Sequence, residues 1–189
     1  MKDLQGNWIV SETLTSVTPD RSVQYGLLAG LAGVITMDLV MMGGLAGLGL
    51  PADTCFMTIG KTAAHFFSLF GMRLAGEVIL GVAVFHLLGP LLGAIYGLIV
   101  SQIRALQRTT LKISVLYAVL YAEVVSQLIL TMMPILLRMT LREAIMWYAG
   151  SVVLHGIWGV VMGSAAYYLA RPRMPKYRNI RTEIIGEIS

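Results

Sequence analysis

The pattern of apolar positions along the chain predicts four membrane-spanning helices. An apolar stretch of about 20 residues is long enough to cross the hydrocarbon core of a bilayer as a helix. Four stretches qualify, each ending at a charge or a helix breaker, and they cover residues 26–50, 74–100, 113–137 and 144–170. The strands of a membrane barrel would alternate apolar and polar residues, and these runs are too continuous for that. The predicted fold class is an all-α integral membrane protein, a four-transmembrane-helix bundle with residues 26–170 as its membrane domain.

A fifth helix, too polar to cross, is predicted at residues 53–70, between the first and second spans. Polar side chains recur there at three- and four-residue steps, so one helical stripe holds Thr54, Thr58, Lys61, His65 and Ser68. Apolar residues cover the rest of its surface, which favours an amphipathic helix lying on the outer membrane face. A re-entrant segment that lines a cavity is the alternative. Just beyond it, the four-residue spacing of Arg73 and Glu77 predicts an interfacial ion pair.

The basic residues outside the spans predict the orientation of the chain. Ten of the 14 Lys and Arg residues fall in the N-terminal tail, the connection between the second and third spans, and the C-terminal tail. Because cytoplasmic segments carry an excess of Lys and Arg, the tails at 1–25 and 171–189 are both predicted to be cytoplasmic. The expected location is the cell (inner) membrane. The opening residues lack the basic-then-apolar order of a cleavable signal.

Composition narrows the classes of function. Charged residues make up 13% of the chain, whereas a soluble domain carries about 25%. This excludes an ordinary soluble enzyme and a nucleic-acid-binding surface. The single cysteine, Cys55, excludes a disulfide framework within the chain. No nucleophile motif, phosphate loop or zinc-protease signature occurs, so no catalytic residue is predicted.

The candidate chemistry lies in one ionisable residue near the middle of each span: Asp38, His86, Glu123 and His155. At about 1.5 Å of rise per residue, all four fall within about 7 Å of one another along the membrane normal. Burying a charge at mid-bilayer costs several kcal/mol, so these groups are expected to face the bundle interior. The simplest interpretation is structural: each acid pairs with a histidine and joins two helices through a hydrogen bond.

Three functional interpretations remain open for this polar core. Two imidazoles and two carboxylates suit a single transition metal ion, with Asp38, His86, Glu123 and His155 as its ligands. A b-type haem held by His86 and His155 ranks below the metal, because two buried carboxylates fit poorly beside it. A proton relay would use Asp38, Glu123 and Gln127.

Glycines at four-residue spacing predict close helix packing, and the ridges in the second and fourth spans are Gly89, Gly93, Gly97, Gly159 and Gly163. Each ridge follows a histidine, and an acidic residue lies one span earlier. The chain therefore resembles two acid–histidine hairpins in tandem. Methionines at helical spacing are attributed to packing, although they also suit copper(I).

The functional hypothesis is a non-catalytic accessory or scaffold subunit of a larger membrane complex. It follows from the small size, the glycine-lined faces and the lack of a catalytic motif. The expected partners are the lipid bilayer and other membrane subunits, or further copies of the chain, and no nucleic acid is expected. The alternative is a stand-alone metal- or haem-binding protein in redox or proton/ion transport.

Overall fold

The computed structural model describes residues 19–103, 106 and 110–170, and these residues form helices and connecting turns, with no strand among them. The six helices are α1 (Pro19–Gly47), α2 (Thr54–Ser68), α3 (Glu77–Gln102), α4 (Leu111–Leu130), α5 (Met132–Leu136) and α6 (Leu141–Ala170). The tails at 1–18 and 171–189 lie outside the described residues.

Four helical segments are long and apolar enough to cross a membrane: α1, α3, α4 together with α5, and α6. Large apolar side chains cover their outer surface, including Leu39, Ile79 and Leu128, each about three-quarters exposed. A folded surface this apolar is typical of contact with lipid, because water would penalise such a patch. The predictions of an all-α fold and of four helices long and apolar enough to span a membrane are confirmed for the described residues.

The ends of the helices differ from the predicted ones for local reasons. Pro19 begins α1 seven residues before the predicted start, since proline suits the first helical position, where its missing N–H is not needed. Thr140 and Glu143 begin α6 three residues early. The Glu143 carboxylate accepts hydrogen bonds from the Thr140 backbone N–H at 2.7 Å and hydroxyl at 2.8 Å, as in a capping box.

The first hairpin is formed by α1 and α3, whose glycines bring the two backbones into contact. A Cβ added at Gly93 would lie 2.7 Å from Gly30 Cα, and one added at Gly26 would lie 2.9 Å from Gly97 Cα. The contacts pair a rising number in α1 with a falling number in α3, so the helices are antiparallel. Only glycine allows this approach at these positions.

The second hairpin is formed by α4 and α6 in the same manner. A Cβ at Gly159 would lie 2.6 Å from Val119 Cα, and one at Gly163 would lie 2.9 Å from Val115 Cα. The Ser114 hydroxyl also donates to the Gly163 carbonyl oxygen at 3.2 Å. Both hairpins therefore pack through small residues in the half of the bundle that holds the start of α1 and the end of α6.

Trp158 and two tyrosines join the hairpins to each other. The Trp158 indole N–H donates to the Gly30 carbonyl oxygen at 3.1 Å, linking α6 to α1. The Tyr121 hydroxyl donates to the Leu92 carbonyl oxygen at 2.8 Å, and the Tyr121 and Tyr96 ring centroids lie 5.2 Å apart, linking α4 to α3. The four long helices thus enclose a common core.

The short helix α2 packs along the first half of α3. Gly60 lies against Glu77 and Gly81, while the Phe56 ring contacts the Phe85 ring at a centroid distance of 5.8 Å. Later residues of α2 meet earlier residues of α3, so these two helices are also antiparallel. The buried face of α2 therefore covers part of the bundle.

Glu77 pairs with a different residue from the one predicted. Its carboxylate lies 3.5 Å from the Lys61 ammonium of α2, and no ion pair with Arg73 forms among the described residues. The predicted pair required both residues to be on one helix, but α3 begins only at Glu77. The four-residue spacing therefore does not bring Arg73 and Glu77 onto one helical face.

Candidate functional site

Asp38 of α1 and His86 of α3 form a direct pair. His86 Nε2 lies 2.9 Å from Asp38 Oδ2, one helical turn beyond the last glycine contact between these helices. His86 Nδ1 lies 3.0 Å from the Val82 carbonyl oxygen, which can only accept, so Nδ1 carries a proton. One further proton lies between Nε2 and Oδ2. Both ring nitrogens of His86 are thus engaged.

This pair lies at the edge of the bundle rather than at its centre. The side chain of His86 is 36% exposed and that of Asp38 is 15% exposed. Phe56 of α2 covers one side, with its ring centroid 6.4 Å from that of His86. The second carboxylate oxygen of Asp38, Oδ1, is buried and has no hydrogen-bond partner among the described residues. The hydrogen-bonding capacity of the pair is therefore only partly satisfied by the described residues.

Glu123 of α4 belongs to a separate hydrogen-bonded network with α6. The Gln127 amide Nε2 donates to Glu123 Oε2 at 3.3 Å and to Ser151 Oγ at 3.1 Å. Ser151 then donates to the Tyr148 carbonyl oxygen at 2.8 Å. His155 Nδ1 lies 2.7 Å from the Ser151 carbonyl oxygen. The network therefore joins α4 to α6 without a direct hydrogen bond from Glu123 to His155.

The two histidines have the same local geometry but different partners. In each, Nδ1 faces the carbonyl oxygen four residues earlier, Val82 for His86 and Ser151 for His155. The other nitrogen of His86 meets Asp38, whereas Nε2 of His155 has no hydrogen bond with any described residue. In the neutral tautomer that carries its proton on Nδ1, His155 therefore has one acceptor nitrogen to spare.

A cavity of about 240 Å³ lies between the helices, in the half of the bundle next to α2. Its wall includes His155, Trp158, Ser126 and Ser151, and it is otherwise mainly apolar. The only cysteine, Cys55, reaches it from α2, and burial raises the pKa of this thiol above its ordinary value. Four methionines also line it: Met37, Met41, Met133 and Met146. Neither Asp38 nor His86 belongs to the wall.

The structure does not bring the four predicted metal ligands into one set. Asp38 meets His86, while Glu123 and His155 belong to the other hairpin. Within residues 19–103, 106 and 110–170, no group of three or more His, Cys, Asp or Glu side chains is placed to hold a metal ion. A metal centre formed by these four residues therefore remains a prediction without structural support.

The haem and relay alternatives also divide between the two hairpins. His86 and His155 lie in different hydrogen-bonded groups, and only His155 lines the cavity. Of the relay residues, Glu123 and Gln127 are in contact and Asp38 is elsewhere. An amide such as Gln127 donates two protons that it does not readily exchange, so it interrupts a proton chain.

Sequence reasoning missed the wall residues Trp158, Trp147 and Cys55. Trp158 fits against Gly33 and bonds to Gly30, and the small residues on α1 were the available signal for such a contact. Trp147 has a buried indole N–H with no acceptor among the described residues. Position along the span alone predicts a place for Trp147 in an interfacial aromatic belt, because it carries no information on the rotation of the helix.

Comparison of the chain with models of protein families, with curated proteins and with solved structures gives no match.

Proposed function

We propose that this chain is a non-catalytic integral subunit of a larger membrane complex, where it acts as an accessory or scaffold component. In this proposal α1, α3, α4 with α5, and α6 cross the cell (inner) membrane, and both termini are cytoplasmic. Lys and Arg outside the spans support that orientation, since ten of the 14 fall on the side of the termini.

The observation that carries the proposal is the partial exposure of the Asp38–His86 pair. The His86 side chain is 36% exposed, and His86 lies within a helix apolar enough to cross a membrane. Lipid tails offer no hydrogen-bond partner, and a polar group that faces them is costly. A neighbouring transmembrane helix with a hydrogen-bonding side chain would remove that cost. The pair therefore marks the face of α3 where we expect a partner to bind.

Two matched positions test this face. A photo-crosslinking residue at Val82, one turn from His86 and 36% exposed, should capture the partner's helix in the native membrane. The same residue at Leu116 of α4, 57% exposed, should capture lipid. Cross-links of equal yield from both positions, or from neither, would contradict the proposal. Cross-links to a second copy alone would replace the larger complex with a homo-oligomer.

A pair of histidine variants separates assembly from folding. After gentle extraction, His86→Leu should release the partner, whereas His65→Leu, an exposed position on α2, should retain it. Retention by both variants would remove His86 from the interface. Trp fluorescence detects whether His86→Leu has unfolded. If it has, Val82→Gln replaces it as a variant of the same face and should likewise release the partner.

The alternative function is a stand-alone metal-binding protein, and one observation favours it. Asp38 and His86 supply a carboxylate and an imidazole 2.9 Å apart, two residue types that ligate zinc, iron and manganese. A metal would have to displace the proton shared by the pair and recruit further ligands. Metal analysis of the extracted complex decides the matter: about one equivalent of metal, lost in His86→Ala and kept in His65→Ala, would support this alternative.

A further inference from the structure

The cavity next to α2 has the size and surface of a small-molecule site. Its volume of about 240 Å³ exceeds the roughly 150 Å³ of an engineered apolar cavity that binds benzene. An empty apolar cavity loses the dispersion contacts that its wall atoms would otherwise make. A molecule that fills it therefore stabilises the folded chain. The proposed subunit role does not determine the occupant, because Asp38 and His86 lie outside the wall.

The polar groups of the wall restrict the chemistry of the occupant. Ser151 uses its hydroxyl to donate to the Tyr148 carbonyl oxygen and to accept from Gln127. His155 has Nδ1 on the Ser151 carbonyl oxygen, which leaves Nε2 as an acceptor with no protein donor among the described residues. The wall is otherwise mainly apolar and contributes no Lys, Arg, Asp or Glu. The wall also holds the Ser126 hydroxyl, which can donate or accept, and the Trp147 indole N–H, whose nitrogen is buried. An uncharged ligand with one hydroxyl group fits these polar groups, and a charged ligand does not.

Cys55 and the four methionines of the wall are soft donors that also suit copper(I). A sphere of 240 Å³ is about 8 Å across, whereas the ligands of one ion must all approach it to about 2–2.5 Å. One ion would therefore have to draw several of these sulfurs together across the open volume. A ring compound fills the open volume without any movement of the wall.

We infer that the cavity binds a small, uncharged, lipid-soluble phenol, with the ring among the apolar side chains and the hydroxyl donating to His155 Nε2. The bilayer concentrates such compounds next to the site. An aromatic ring also suits a wall that includes the aromatic residues Trp158, Trp147 and Phe85.

The reactivity of the Cys55 thiol reports on binding, because Cys55 is the only cysteine of the chain and lies in the wall. In purified full-length protein in detergent, bound ligand should slow its alkylation by N-ethylmaleimide. The probes are thymol and p-cymene, which share one hydrocarbon skeleton and differ by the hydroxyl group. Thymol should protect Cys55 at about fivefold lower concentration, since one hydrogen bond separates the two compounds. Equal protection by both compounds, or none by either, would overturn the inference.

Two variants place the ligand. His155→Phe keeps a ring against Trp158 but removes the acceptor, so thymol and p-cymene should then protect equally. Gly150→Leu adds bulk at a wall position where a Cβ meets no atom within 4 Å, and it should abolish protection by both compounds. Ala149→Leu, exposed and outside the wall, is its control and should behave as the wild type. Protection that survives Gly150→Leu, or that copper(I) provides and thymol does not, would refute the assignment.

Discussion

Replacing Gly93 by alanine should destabilise the bundle by separating α1 from α3. The new Cβ would clash with the Gly26 carbonyl oxygen, and it would lie 2.7 Å from Gly30 Cα and 2.9 Å from Gly30 N, where ordinary contacts begin at 3.4 Å. All three nearby atoms are backbone, so no side chain can rotate away and the helices must separate by about 1 Å. Overpacking of this kind costs about 1–3 kcal/mol. We expect about 2 kcal/mol, a change of roughly thirtyfold in the ratio of folded to unfolded protein.

The matched control for this prediction is Gly43→Ala on the same helix as Gly30. A Cβ at Gly43 meets no atom within 4 Å, and alanine is the better helix former by up to about 1 kcal/mol. Its free energy of unfolding should be unchanged or slightly higher. The assay is unfolding by sodium dodecyl sulfate in mixed micelles, followed by Trp fluorescence. If Gly93→Ala unfolds at the same detergent fraction as Gly43→Ala, then α1 and α3 are not in backbone contact and the packing argument fails.

Three further predictions concern single contacts. In a double-mutant cycle, Gln127→Leu and Ser151→Ala should show a coupling of about 0.6 kcal/mol in the free energy of unfolding, typical of one interhelical hydrogen bond; additive effects would mean that the 3.1 Å contact contributes nothing. Trp158→Phe keeps most of the ring but loses the N–H that donates to Gly30, and we expect a loss of about 1 kcal/mol in the same unfolding assay, with an unchanged value arguing against that bond. Because burial raises the pKa of the Cys55 thiol and only the thiolate reacts, its alkylation rate should still be rising with pH at pH 9, and a plateau below pH 8 would contradict the burial.

The four long apolar helices could be predicted from the sequence because each is a continuous apolar run of the length that a bilayer requires. Their ends could not be placed by counting apolar residues, since caps decide them. The pair Thr140 and Glu143 carries a capping-box signal that the apolar count ignored. The break at Thr131 follows from Pro134, which lacks the N–H that would bond to the Leu130 carbonyl oxygen.

The sequence was enough to predict which residue types form the candidate site, but only some of the contacts between them. Depth along the span was enough to suggest that Asp38 could meet a histidine, and it meets His86. Depth could not show that Gln127 and Ser151 would separate Glu123 from a direct bond with His155, because that depends on helix rotation. The cavity depends on the spacing between helices that are far apart in the chain, and no local pattern in the sequence encodes that spacing.

The glycine contacts give the bundle two unlike halves. In one half, Gly30 and Gly93 bring the backbones together, and Gly159 does the same in the second hairpin. The other half holds the cavity, with Trp158 where the two halves meet. A molecule inside would leave through the half that holds the cavity, because closely packed main chain closes the other half. Passage of a small molecule through the bundle would require α1 to separate from α3. The interior is therefore closed at one end, which suits it to binding a small molecule and not to transporting one.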